Sequence, residues 1–303
     1  MRPRTTQESC WRRQLAALAV LSCTLCLAAP ASAYNVYTYG NNQALKWGSN
    51  TVGTPGGVVT WSLMSDGTTL DPTTAGLGMS GTSDLSSVFA QVGGTAPAMA
   101  AISQAFAAWS AVANVQFVRV SETGALPFGA AYGNAAVAGN IRIGAFALSG
   151  FTGAVGYSPP PNGGTTLEGD IIFNRDNRFG IPAGSEGDLY ALYPASNNFF
   201  YLNDFAGLFA HELGHALGMA HSDVPSGLMC GYLNAGFDGS TCAFADPDGD
   251  GMAPITRSPK LDDVAGIQFL YGVSPVPEPQ SWALWAAGFG VLGLCARRRR
   301  RGD

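Results

Sequence analysis

All three histidines of this 303-residue chain fall within eleven residues, His211-Glu212-Leu213-Gly214-His215-Ala216-Leu217-Gly218-Met219-Ala220-His221. No other feature restricts the local fold as tightly. On an α-helix, residues four apart lie on one face a turn above each other, so His211 and His215 can offer two imidazole nitrogens to one ion. Gly218 lets the helix stop, because a residue without Cβ takes the left-handed conformation at little cost. Past that turn His221 can approach the same ion from another side. Three neutral nitrogens leave one position of a tetrahedral zinc open, the arrangement of a catalytic site. Glu212 projects about 100° further round the helix, beside the ion rather than on it. On a helix otherwise made of Phe, Leu, Ala, Gly and His, such a carboxylate is costly without a purpose. The implied chemistry is hydrolysis, in which zinc acidifies a water and Glu212 takes its proton as general base. A lone HExxH also arises by chance as two core histidines one turn apart. The longer pattern, holding every histidine of the chain, makes chance a poor account.

The rest of the body reads as one domain from 34 to 275, without repeats or a linker. Val58 to Leu63 is a strand candidate, followed by a Gly/Ser/Thr-rich excursion to about Gly94. Thr95 then caps a helix with Pro97 early, where a missing N–H costs little. Met99, Ile102, Phe106 and Trp109 recur at helical spacing along it. Extended runs follow at Val115 to Val120, Ile141 to Phe146, Gly153 to Tyr157 and Asp170 to Phe173. A helix over Asp204 to Leu217, capped by Asn203 or Asp204, carries the histidines, and another covers Leu261 to Tyr271.

The two ends read as addresses. Arg2, Arg4, Arg12 and Arg13 precede an uncharged apolar stretch from Leu15 to Ala29 and the small residues Ala31-Ser32-Ala33. This is the pattern of a secretory signal peptide over 1–33, with an uncleaved anchor as the alternative. At the other end, Val276-Pro277-Glu278-Pro279 precedes apolar Trp282 to Ala296 and the five arginines 297–301. Such a tail inserts in a membrane with its basic cluster on the cytoplasmic side, transiently where it is then removed, with a plain C-terminal anchor as the alternative. Between Tyr34 and Pro275 there are 7 basic and 18 acidic residues, a net of −11. So acidic a body excludes nucleic acid as a partner, because that binding needs clustered Lys and Arg. In the body only Cys230 and Cys242 remain of the six cysteines, which in an exported chain is most simply a disulfide. Asp246, Asp248 and Asp250, with Gly251 at the sixth place, start like a calcium-binding loop. Arg257 stands where its bidentate Glu belongs, and a solvated acidic turn is the alternative.

The histidine motif, with Ser222 directly after it and the sequence Ser226-Gly227-Leu228-Met229, resembles the matrixin branch of the metzincin metalloproteases. The resemblance extends to the helix from Ala96 to Val112, to Gly169-Asp170-Ile171-Ile172-Phe173, and to Leu261-Asp262-Asp263 through Tyr271-Gly272. It implies an α+β fold, a twisted mixed five-stranded sheet with three helices. It also implies one catalytic zinc on His211, His215 and His221, a Met-turn at Met229, and a protein or peptide substrate pairing with an edge strand near 153–158. The chain departs from that family in three places. No histidine is left for the family's second, structural zinc, Asn174-Arg175-Asp176-Asn177 replaces its acidic calcium cluster, and no cysteine lies between Tyr34 and the motif to serve as a thiol switch. The tail over 276–303 resembles the PEP-CTERM sorting signal, which implies an exosortase-type processing partner and display at the surface of a Gram-negative bacterium. The sequence therefore sets an exported zinc endopeptidase against a surface or biofilm-matrix structural protein that keeps the zinc fold without cutting.

Overall fold

The computed structural model describes residues 34–275 apart from 41, 75, 124–125, 131–137, 151, 161–166, 193–201, 226 and 231–250. In chain order it contains β1 (Thr38–Tyr39), β2 (Gln43–Ala44), β3 (Gly57–Leu63), β4 (Met79–Ser80), α1 (Leu85–Gln91), α2 (Thr95–Val112), β5 (Val115–Arg119), β6 (Ile141–Leu148), β7 (Ala154–Gly156) and β8 (Ile171–Asn174). There follow β9 (Arg178–Gly180), β10 (Leu189–Ala191), β11 (Leu202–Asp204), α3 (Phe205–Ala216), β12 (Met252–Pro254) and α4 (Leu261–Tyr271).

The main sheet runs β5-β3-β6-β8-β7, the first four strands parallel and the edge strand β7 antiparallel, with β4 paired to β6 off this path. This is the mixed sheet of an α+β fold that the resemblance implies. A parallel strand with layers on both sides is buried along its length, and the first six residues of β6 are all buried. Alternation in β8 sends neighbouring side chains to opposite faces. Phe173 joins the large core beneath α2 and α3, while Ile172 joins Met64, Phe128 and Phe146 on the other face.

Aromatic rings lock the helical layer to the sheet. Phe173 stacks on Phe205 of α3 with centroids 4.8 Å apart, and Phe106 of α2 stacks on Trp61 of β3 at 4.7 Å. Trp109, fully buried, donates its indole N–H to the Ala210 carbonyl at 3.0 Å and so ties α2 to α3.

Two expectations change in detail. Gly94, not Thr95, occupies the N-cap of α2, and no side chain caps that end. The Gly/Ser/Thr-rich excursion holds a fourth helix, α1, whose cap Asp84 accepts from Ser87 N–H and whose Leu85, Val88 and Phe89 are buried. Asn174 and Asn177 both donate to the Thr152 carbonyl, each at 2.9 Å. Among the described residues no single helix is long and apolar enough to cross a membrane. Both terminal segments, 1–33 and 276–303, lie outside the described residues.

Candidate metal centre

α3 begins and ends where its sequence directs. Asp204 caps it by accepting from Ala206 N–H at 3.2 Å, and Arg257 holds the same carboxylate with Nε and Nη2 at 2.7 and 3.0 Å. At the far end Gly218 adopts φ +99°. Gly218 N–H donates to His215 O and Met219 N–H to Gly214 O, both at 2.9 Å, the pair of bonds of a Schellman stop. The chain thereby reverses and carries His221 back toward the helix.

The three imidazoles converge. His221 Nε2 lies 3.2 Å from His211 Nε2 and 3.1 Å from His215 Nε2. Tetrahedral zinc with bonds of ~2.0–2.1 Å sets its nitrogen ligands about 3.3 Å apart, so the spacing suits that ion. The outer nitrogens fix the tautomers. His211 Nδ1 stands 2.7 Å from Leu228 O and His215 Nδ1 2.8 Å from Met219 O. A carbonyl can only accept, so each Nδ1 carries the proton and each Nε2 turns a lone pair inward. Burial first, then the neighbouring His211 and His221, holds His215 well below the ordinary imidazole range. It therefore stands ready as a neutral ligand, and the triad is a cluster able to hold a metal ion.

Glu212 is buried beside the triad. Desolvation pushes its carboxyl up to about 8, against the opposing pull of a hydrogen bond from Gly156 N–H. That bond exists because β7 runs hard against α3. A Cβ added to Gly156 would fall 2.3 Å from the Glu212 carbonyl oxygen and 3.0 Å from His215 Cβ. The edge strand can approach this closely only without a side chain.

Met229 is buried, its sulfur 2.2 Å from where a Cβ on Gly214 would lie. Its turn is held from α4. Asp263, fully buried, accepts from Leu228 N–H at 2.7 Å, Met229 N–H at 2.9 Å and Lys260 N–H at 2.7 Å. Because the Leu228 carbonyl also accepts a hydrogen bond from His211 Nδ1, Asp263 is linked to His211 through one peptide unit. Sequence reading placed Asp263 only in a stretch of family likeness. An Asp-Asp pair in a first turn otherwise reads as a solvated complement to the helix dipole. Cys230 is buried and disulfide-bonded. Cys242, Asp246, Asp248 and Asp250 lie outside the described residues.

Comparison with known proteins agrees with this geometry. The PEP-CTERM protein-sorting motif matches residues 275–300. Matrix metalloproteinase-9 of Canis lupus familiaris is 44% identical over 89 residues, 29% of this chain and 10% of that protein. The match thus spans about a tenth of the relative's length. The matrixin family model matches residues 91–272, well over half of the chain and inclusive of every element of the centre from α2 to α4, and the chain belongs to the matrixin family.

Proposed function

We propose that this protein is an exported zinc-dependent endopeptidase, with one zinc on His211, His215 and His221 and Glu212 as general base. The observation that carries the reading is the convergence of three Nε2 atoms, two of them turned inward by carbonyl-bound Nδ1 protons, next to a buried carboxylate. Zinc, when bound, supplies Lewis acidity that polarises a peptide carbonyl and acidifies water. The chain's own residues do the rest. Burial alone favours the protonated form of Glu212, and the positive charge of a bound zinc would draw it back to the carboxylate; in that form, oriented by Gly156 N–H, Glu212 accepts the proton of the attacking water and returns it to the departing amine. β7 lies at the open edge of the sheet, where an extended peptide can add as a further strand.

Residues 1–33 serve in this reading as a signal peptide, 34–275 as the catalytic domain and 276–303 as a sorting tail handled at the membrane by an exosortase-type enzyme. Cys230 pairs with Cys242, stapling the Met-turn to the inserted loop. Calcium at Asp246, Asp248 and Asp250 remains part of the proposal, tested by calcium titration of melting.

A purified protein carrying Glu212→Ala tests the assignment. Zinc content should stay at one ion per chain while chelator-sensitive proteolysis falls by roughly 10²- to 10⁴-fold, the effect of a lost general base. His215→Ala should lose metal and activity together. If wild type and Glu212→Ala are equally inert toward unfolded proteins while both hold zinc, the protein is the silent surface scaffold instead.

A further inference from the structure

Of the three ligands, His211 and His215 are fixed by helix geometry, but His221 sits on the reversed chain beyond the Schellman stop. Something else must hold that stretch. Residues 34–37, some 180 positions earlier, run antiparallel beside it. Val36 faces Met219, Ala220 N–H donates to Asn35 O at 2.9 Å, and Tyr37 N–H donates to Gly218 O at 2.9 Å. Asn35 then uses its side chain, Nδ2 donating at 2.9 Å to the carbonyl of His221 itself. The Tyr37 hydroxyl stands 3.3 Å from His215 Nδ1. Both ends of this strap are anchored. The Tyr34 ring lies 5.8 Å from that of Phe269 on α4, and its Cβ occupies ground where a Cβ on Gly266 would come within 2.9 Å. Beyond Tyr37, its carbonyl accepts from Leu45 N–H at 2.9 Å.

We infer that the strap 34–37 is a positioning element of the metal centre and that Asn35 is a positioning residue, orienting the His221 backbone so that its imidazole meets the ion. The inference rests on the reading of His211, His215 and His221 as zinc ligands. Two physical points favour it. Asn35 is exposed, so its carboxamide adds little to global stability, and its effect must appear in the ligand it holds. The two backbone bonds bracket Met219, whose carbonyl takes the His215 Nδ1 proton, so the strap braces two ligands through one turn.

The test uses the full exported chain with Asn35→Ala, the near-isosteric Asn35→Asp that cannot donate, and Tyr37→Pro, which removes the N–H bonded to Gly218. The readouts are the rate of zinc loss to an excess of chelator and the visible absorption of the cobalt-substituted protein. Loss of an outer-shell partner costs ten- to hundredfold in metal affinity. Tyr37→Pro, which also removes the hydroxyl beside His215, should therefore lose zinc at least tenfold faster where it folds, and Asn35→Ala and Asn35→Asp several-fold faster, each with an altered cobalt spectrum; the two Asn35 variants should keep the melting point of the metal-free protein. Wild-type zinc loss and spectra in both Asn35 variants overturn the inference, whether or not Tyr37→Pro folds. A wild type that binds no zinc through the three histidines sinks the proposed function instead, and is seen as such before any variant is compared.

Discussion

Gly156 is the position where one added methyl group tests both packing and chemistry. In Gly156→Ala the new Cβ falls 2.3 Å from the Glu212 carbonyl oxygen and 3.0 Å from His215 Cβ. Carbon and oxygen settle at about 3.3 Å or beyond, so β7 and α3 must part by about 1 Å. Neither side gives easily, because the obstacle is helix backbone and α3 is pinned by Phe205 and Phe209, both fully buried. Overpacking of this kind costs about 1–3 kcal/mol of stability. The same movement stretches the bond from Gly156 N–H to the Glu212 carboxylate, and a misplacement of about 1 Å in a reacting group costs on the order of 10²-fold in rate. Denaturant unfolding, zinc analysis and kcat/KM on a peptide substrate measure the three quantities separately. The expected result is a lower midpoint, one zinc retained, and kcat/KM down by about two orders of magnitude. Gly180→Ala is the control, since its Cβ meets only the flexible side chain of Leu202 at 3.2 Å. A Gly156→Ala protein with wild-type midpoint and turnover would refute the close-approach argument.

Asp263→Ala leaves three backbone N–H groups without their acceptor and should cost about 3 kcal/mol or more, with faster zinc loss; a shift below 1 kcal/mol in unfolding would contradict its role. Arg257→Met strips the guanidinium from the buried Asp204 carboxylate, at a cost of roughly 3 kcal/mol near neutrality. Burial already raises Asp204, with Arg257 opposing, so its removal raises that group further. The penalty should be full above the raised value and shrink as the pH falls through it and the carboxyl protonates, read from unfolding curves across pH. Reducing the Cys230 disulfide should lower stability by about 3 kcal/mol, and mass mapping should find Cys242 as its partner. Chelation should abolish activity while far-UV dichroism and cooperative unfolding persist, because the core is held by the apolar packing of the helices on the sheet; collapse of both would overturn this.

Much of this architecture is carried by short-range pattern. The metal helix, the helix over Leu261 to Tyr271 and the strands flanking α2 follow from periodicity and caps, and appear within a few residues of expectation. α1 escaped notice although its signal was present, an Asp cap followed by apolar residues at 85, 88 and 89, because the surrounding Gly, Ser and Thr read as loop. The pairs β9 with β11 and β10 with β12 are three residues long and have no period to detect. The histidine triad was legible because its three members share eleven residues. Its supports were not, since Asp263, Gly156 and Asn35 act across 34 to 186 positions and look like an ordinary helix-end acid, a strand glycine and a terminal amide.

The helical wheel of α3 explains why fold and chemistry can share one twelve-residue element. At about 100° per residue, Phe205, Phe209 and Leu213 span roughly 80° and face the sheet and α2, where all three are fully buried. His211 and His215 lie about 40° apart on a separate side, where they meet His221 and the carbonyls of Leu228 and Met219. Glu212 falls between these two sides, about 20° from Phe205 and 60° from His215. That boundary is where the edge strand β7 passes, so Glu212 is buried against the sheet's last strand while its place on the helix stays next to that of His215. Gly214 lies on the remaining side, and its missing Cβ admits the Met229 sulfur and the Trp109 ring. A side chain at Gly214 would push the Met-turn away, and with it the Leu228 carbonyl that fixes His211. The sides of the helix thus divide the work: Phe205, Phe209 and Leu213 anchor it in the core, Gly214 receives the Met229 turn, and the histidines face His221.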